Sequence, residues 1–132
     1  MSRLVERIEN FNKAFSILNN AVKAYNNNKT EILTHMALIQ SYEVTFELAW
    51  KVLKDYLAEN GISVYLPKEV IKEAFNKRVI ENGQIWINML DARNATSHEY
   101  KMDKINLILE NISSTYFNEL YNFSEWLKKI NE

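Results

Sequence analysis

The chain of 132 residues is long enough to bury one helical core and too short for two, so residues 1–132 read as a single domain. Hydrophobic residues make up 47% of it and charged residues 25%, which excludes a disordered chain, and 16 basic against 17 acidic side chains exclude a global basic field that would draw in a polyanion. The lack of cysteine excludes disulfides, thiolate metal sites and cysteine nucleophiles, and fits a reducing compartment.

Two glycines and one proline are too few for strands joined by tight turns, so the elements read as helices. The opening MSRLVERIENF carries charges where a signal peptide needs an apolar run. No apolar stretch approaches the roughly 18 residues that span a bilayer. A cytoplasmic location without membrane contact is expected. Leu4, Ile8, Phe11, Phe15, Leu18, Val22 and Tyr25 recur at spacings of three and four, the stripe of a first packed helix, which the run Asn26, Asn27, Asn28 should end. A second helix is expected from near Thr30 to Asn60, about 45 Å long, with Gly61 just past its end. Its apolar positions are Ile32, Met36, Ile39, Phe46, Trp50, Leu53 and Leu57, widened by Leu38, Tyr42, Ala49, Val52 and Tyr56, the pattern of a central helix with several neighbours.

Pro67 suits the first turn of a short third helix carrying Val70, Ile71, Ala74 and Phe75. Asn82 and Gly83 break the chain before a fourth helix with Ile85, Trp86, Met89 and Leu90 on its apolar side. Asp103 is the expected N-cap of a last helix with Ile105, Leu109, Ile112, Tyr116, Leu120, Phe123, Leu127 and Ile130 at helical spacing. The fold class is therefore all-α: an antiparallel up-and-down four-helix bundle with one short extra helix.

Between the fourth and last helices the apolar period fades into DARNATSHEY, residues 91 to 100. If the helix continues, Asn94 and His98 share one face, and Arg93, Ser97 and Tyr100 another. Arg93 and His98 then stand about 140° apart, so both reach one site only if Arg93 bends round or the helix ends near His98. Histidine exchanges a proton near neutral pH, arginine offers a fixed charge and a planar fork for phosphate oxygens, and asparagine can orient either. Together they suit metal-free cleavage of a phosphodiester. The same residues also suit a plain helix end, with polar caps and an idle histidine.

The segment IQSYEVTFELAWKVLKDYLAENGI from Ile39 to Ile62, and the stretch from Pro67 through IWINMLDARNATSHEY, resemble the nucleotidyltransferase substrate-binding protein family, the HepT-like members of the HEPN superfamily. That family's signature of arginine, four residues, histidine, then x-Tyr falls on Arg93, His98 and Tyr100, with Asn94 as the polar residue after the arginine. The resemblance implies a helical homodimer whose paired motifs form a cleft, encoded beside a minimal nucleotidyltransferase. It further implies either a metal-independent ribonuclease toxin, with Arg93, Asn94 and His98 catalytic and the transferase as antitoxin, or a non-catalytic subunit that binds nucleotide or offers Tyr100 as acceptor for AMP.

Outside that segment, His35 lacks companion ligands at metal-binding spacing, and no metal or cofactor is expected. Glu43 interrupts the second helix's stripe between Ile39 and Phe46, and either faces a polar cleft, pairs with Arg93, or lies at the stripe's edge. Trp50, Trp86 and Trp126 occur at core spacing. Lys101 and Lys104 either add local charge for RNA or are ordinary solvated lysines. No Gly-rich phosphate loop and no Gly-Ser with paired aspartates is present, which argues against this chain being the transferase.

Overall fold

A computed structural model describes residues 2–96 and 102–130, and all regular structure among them is helical. Helix α1, Arg3–Asn27, opens on Ser2, whose side chain accepts from the Val5 N–H at 3.2 Å, and stops in the asparagine run. Helix α2, Ile32–Glu59, begins two residues later than Thr30, with the Glu31 carboxylate accepting from the Leu33 N–H. Beyond it the Gly61 N–H donates to the Ala58 carbonyl and the Ile62 N–H to that of Leu57. This paired closure needs a left-handed residue, and Gly61 supplies it at φ 83°.

Helix α3, Pro67–Asn76, ends in the same closure. The Arg78 N–H donates to the Phe75 carbonyl and the Val79 N–H to that of Ala74, but the left-handed residue is Arg78, at φ 59°. Nothing in the sequence signals that position, since arginine carries the Cβ that disfavours this conformation. Helix α4 is Gly83–Thr96 and helix α5 is Met102–Asn111, so Asp103 falls inside the first turn instead of at the N-cap. A π-helical turn, Ile112–Tyr116, joins α5 to α6, Phe117–Ile130, where a single regular helix was expected.

The apolar stripes hold with instructive exceptions. On α2 the buried arc runs through Leu38, Tyr42, Phe46, Ala49, Leu53 and Leu57. Met36 lies two residues from Leu38, about 160° round the helix, and is 61% exposed, with Ile32 exposed near it. Phe75 is likewise 49% exposed instead of buried with Val70, Ile71 and Ala74. Its ring lies over Gly83, where an added Cβ would stand 3.0 Å away, so it covers the α3–α4 junction. Ile130, the last residue of α6, is also exposed.

Side-chain contacts give the helix directions. Arg7 pairs with Asp55 at 2.7 Å while Tyr25 meets His35 at 5.8 Å, so α1 and α2 run antiparallel. Tyr42 reaches Met89 while Phe46 packs on Trp86, which makes α2 and α4 antiparallel. Phe11 meets Phe123 and Phe15 meets Phe117, so α6 opposes α1. The middle of the core is aromatic, with Phe46 tilted against Trp86 and Trp86 set edge to face with Phe123.

At the other end of α1 the Tyr25 hydroxyl donates to Glu110 Oε1 at 2.9 Å, with Lys29 Nζ 3.3 Å from the same oxygen. Burial, then that hydrogen bond, push the Tyr25 pKa from 10.0 up to about 12. Folding thus favours the protonated phenol, so this contribution is complete below pH 10 and is lost as pH rises toward 12. Tyr25→Phe should cost about 1 kcal/mol at neutral pH. In denaturant titrations the gap between the variant and wild type should narrow across pH 10 to 12.

Candidate functional site

The polar end of the molecule is built on the pairing of α4 with α2. Tyr42 is fully buried, so its hydroxyl must find an acceptor, and it donates to the Met89 carbonyl at 2.6 Å. Burial is the main cause that holds its pKa well above 10.0; neighbouring Tyr116 and Glu43 add to the rise and Arg93 works against it. Tyr42 therefore remains a protonated donor at any physiological pH. The Tyr116 ring stacks on it with centroids 5.9 Å apart, and burial raises the Tyr116 hydroxyl too, with Asp91 contributing and a hydrogen bond to Asn111 opposing.

One turn beyond Met89, Arg93 lies half-buried in the last turn of α4, with its Nε 3.7 Å from Glu47 Oε2 on α2. Thr96, buried at the helix end, returns its hydroxyl to the Arg93 carbonyl at 3.0 Å, which satisfies a carbonyl of the last turn. Asn94 is exposed beside Arg93. Glu43 is half-buried one turn before Glu47, close enough to Tyr42 to raise its pKa. The described structure thus places Arg93 and Asn94 in the last turn of α4, with Glu43 nearer the middle of α2 and acting, like Arg93, on the Tyr42 hydroxyl. Two expected site residues, His98 and Tyr100, lie outside the described residues.

Glu47 and Tyr42 were not singled out as site residues in the sequence. Glu47 is one helical turn from Glu43 and shares its edge of α2, so the same argument applied one turn later finds it. Tyr42 reads as stripe, and only its depth reveals the hydroxyl's structural task. His35 is bound locally: its Nε2 is hydrogen-bonded to the Lys29 carbonyl and its ring packs on Tyr25. Among the described residues no three His, Asp or Glu side chains are grouped to hold a metal ion, and no helix is long and apolar enough to cross a membrane.

These features define an all-helical domain whose polar end is organised around one arginine. Residues 6–129 match the family described as "Nucleotidyltransferase substrate binding protein like", and the chain belongs to that family. It is also similar to a "Probable ribonuclease HepT" of Haemophilus influenzae, 32% identical over 71 residues. That match spans 50% of this chain and 49% of that protein.

Tyr42→Phe keeps the ring and leaves the Met89 carbonyl without its buried donor, so it should cost about 1–2 kcal/mol. Glu47→Gln touches only two partly exposed ion pairs, with Arg93 and with Lys51, and should change stability by less than about 1 kcal/mol. Chemical denaturation of both variants reads the difference.

Proposed function

We propose that this chain is the HepT-like partner of a minimal nucleotidyltransferase, acting as a toxin whose homodimer cleaves RNA without metal and whose transferase is the antitoxin. We read the helix pairings as an up-and-down four-helix bundle with α3 as the extra helix. The observation that carries the reading is Arg93, set at the end of α4 by packing and by Glu47 while part of its guanidinium stays accessible. Its position in the Arg93, Asn94, His98 sequence adds the chemistry.

In this mechanism His98 takes the proton from a ribose 2′-hydroxyl as the 2′-oxygen attacks phosphorus. The bond to the 5′-oxygen breaks, leaving a 2′,3′-cyclic phosphate and a free 5′-hydroxyl. Arg93 stabilises the charge on the phosphoryl oxygens and Asn94 helps orient them. A phosphate entering the site competes with Glu47 for the guanidinium, so Glu47 holds the arginine ready between substrates. The family's description as substrate binding favours a second reading, in which the chain binds nucleotide for the transferase or offers Tyr100 to it as AMP acceptor.

A second copy is proposed to sit on the outer face of α1 and α2. There Ile17, Leu33, Met36 and Val44 are exposed around a groove of about 320 Å³ floored by Ala14, Ala21 and Ala37. Contiguous apolar surface of this kind marks an interface. Val44 is three residues from Glu47, so a copy there brings the two Arg93 ends toward each other.

His98→Ala should lower RNA cleavage by about 10²- to 10⁴-fold, the range of a general acid or base, with melting unchanged. Arg93→Lys keeps the charge, loses the fork and should also cleave poorly. If both variants fold and cleave RNA as fast as wild type, the ribonuclease reading fails. Addition of AMP mass by the transferase, abolished in Tyr100→Phe, then supports the second reading. Light scattering at micromolar concentration should report a dimer that Val44→Glu converts to monomer. A monomeric wild type would remove the shared cleft.

A further inference from the structure

At the opposite end of α4 from Arg93, the α3–α4 connection and α6 enclose a cavity of about 330 Å³ that the ribonuclease reading does not use. It is lined among others by Arg78, Asn82, Trp86, Glu119, Trp126 and Lys129. We propose that it binds a single guanine nucleotide: the base rests on Trp126, its donor edge meets Glu119, and its phosphate lies toward Arg78 and Lys129. This goes beyond the reading given above and does not depend on it.

Glu119 carries the argument. It is 8% exposed, and among the described residues its carboxyl accepts only from Asn82 Nδ2, at 3.1 and 3.4 Å from its two oxygens. No lysine or arginine among the described residues lies within ion-pair distance of it. A carboxylate has about four acceptor sites, and burying one with most of them unfilled is costly unless something else donates. Guanine presents two adjacent N–H donors on one edge, a match for two carboxylate oxygens that adenine cannot make.

The walls offer a ring and two cations for the rest of such a ligand, beside the carboxylates of Glu81 and of Glu125, the latter paired with Lys128. Trp126 is half-buried, backed by the near-parallel ring of Phe123 5.8 Å away and met at right angles by Tyr56 at 5.0 Å, so its indole is held rigid at the wall where a base would stack. Arg78 and Lys129 line the same space, and neither forms an ion pair among the described residues. The volume lies at the small end of the range for ligand sites, sized for one nucleotide and not a strand.

Arg78 supplies an independent indication. It occupies the left-handed position that closes α3, where glycine stands in the identical closure of α2. Backbone geometry alone calls for glycine in both places. An arginine kept in a disfavoured conformation at the wall of a cavity suggests that its side chain is needed there.

The test is calorimetric titration of the full chain with GMP, AMP and guanosine. Wild type should bind GMP saturably and more tightly than AMP. Glu119→Gln, nearly isosteric, should weaken GMP by about 10- to 100-fold and abolish the preference over AMP. Trp126→Ala should weaken all three ligands by about tenfold or more. Arg78→Gly should melt higher than wild type, yet weaken GMP while leaving guanosine unchanged. Absence of saturable GMP binding at millimolar concentration overturns the proposal, as does a folded Glu119→Gln that binds GMP like wild type. Either failure leaves the RNA-cleavage results untouched, because the readout is ligand binding to the chain itself.

Discussion

The hydroxyl of Tyr42 has one place to go, and much of the molecule is arranged around that fact. A phenol this deep cannot be left unpaired, and the acceptor it finds is a backbone carbonyl of another helix, that of Met89. A hydrogen bond to backbone fixes how far α4 lies along α2, which side-chain packing alone leaves loose by fractions of a turn. On α4 the bonded Met89 stands between Trp86, which meets Phe46, and Arg93, whose guanidinium reaches along α2 to Glu47. The bond thus lies between the aromatic core and the polar end, and the arginine stands one turn beyond the carbonyl that it holds.

This division explains what could be read from the sequence. Apolar spacing is a statement about solvent, and it located the helices well: α1 ends in the asparagines, α2 is closed by Gly61, and Pro67 opens α3. It fails where a side chain faces something other than the average core. Met36 and Ile32 are apolar but point outward, and Phe75 lies on the surface because its task is to cover Gly83. Arg78 in a glycine conformation and the π turn are backbone facts that no hydrophobic pattern encodes.

The candidate site was legible in kind more than in detail. DARNATSHEY stands out because its polar residue types interrupt a stripe, and Arg93 and Asn94 do sit together at the end of α4. The carboxylate placed against Arg93 is Glu47, a turn beyond Glu43, a contact between two helices that the spacing within either one does not report. The cavity at Glu119 was invisible for a related reason. Asn82 and Glu119 are far apart in sequence and meet only because the fold brings the start of α4 against α6.

The π turn under Tyr42 gives the C-terminal helix one residue of slack. Backbone on both sides is ordinary right-handed helix, and the Phe117 N–H reaches back five residues to the Ile112 carbonyl, so one residue more than an α-turn holds is accommodated there. A chain shortened by one residue within 112–116 would close as plain α-helix and keep Leu120, Phe123 and Leu127 in phase with the core. The same deletion in the first turn of α6 would rotate Phe123 and Leu127 by about 100° and turn them toward water. Length variation in this helix is therefore absorbed at the turn where Tyr116 lies against Tyr42, and what is disturbed first is the end of the molecule that holds Arg93.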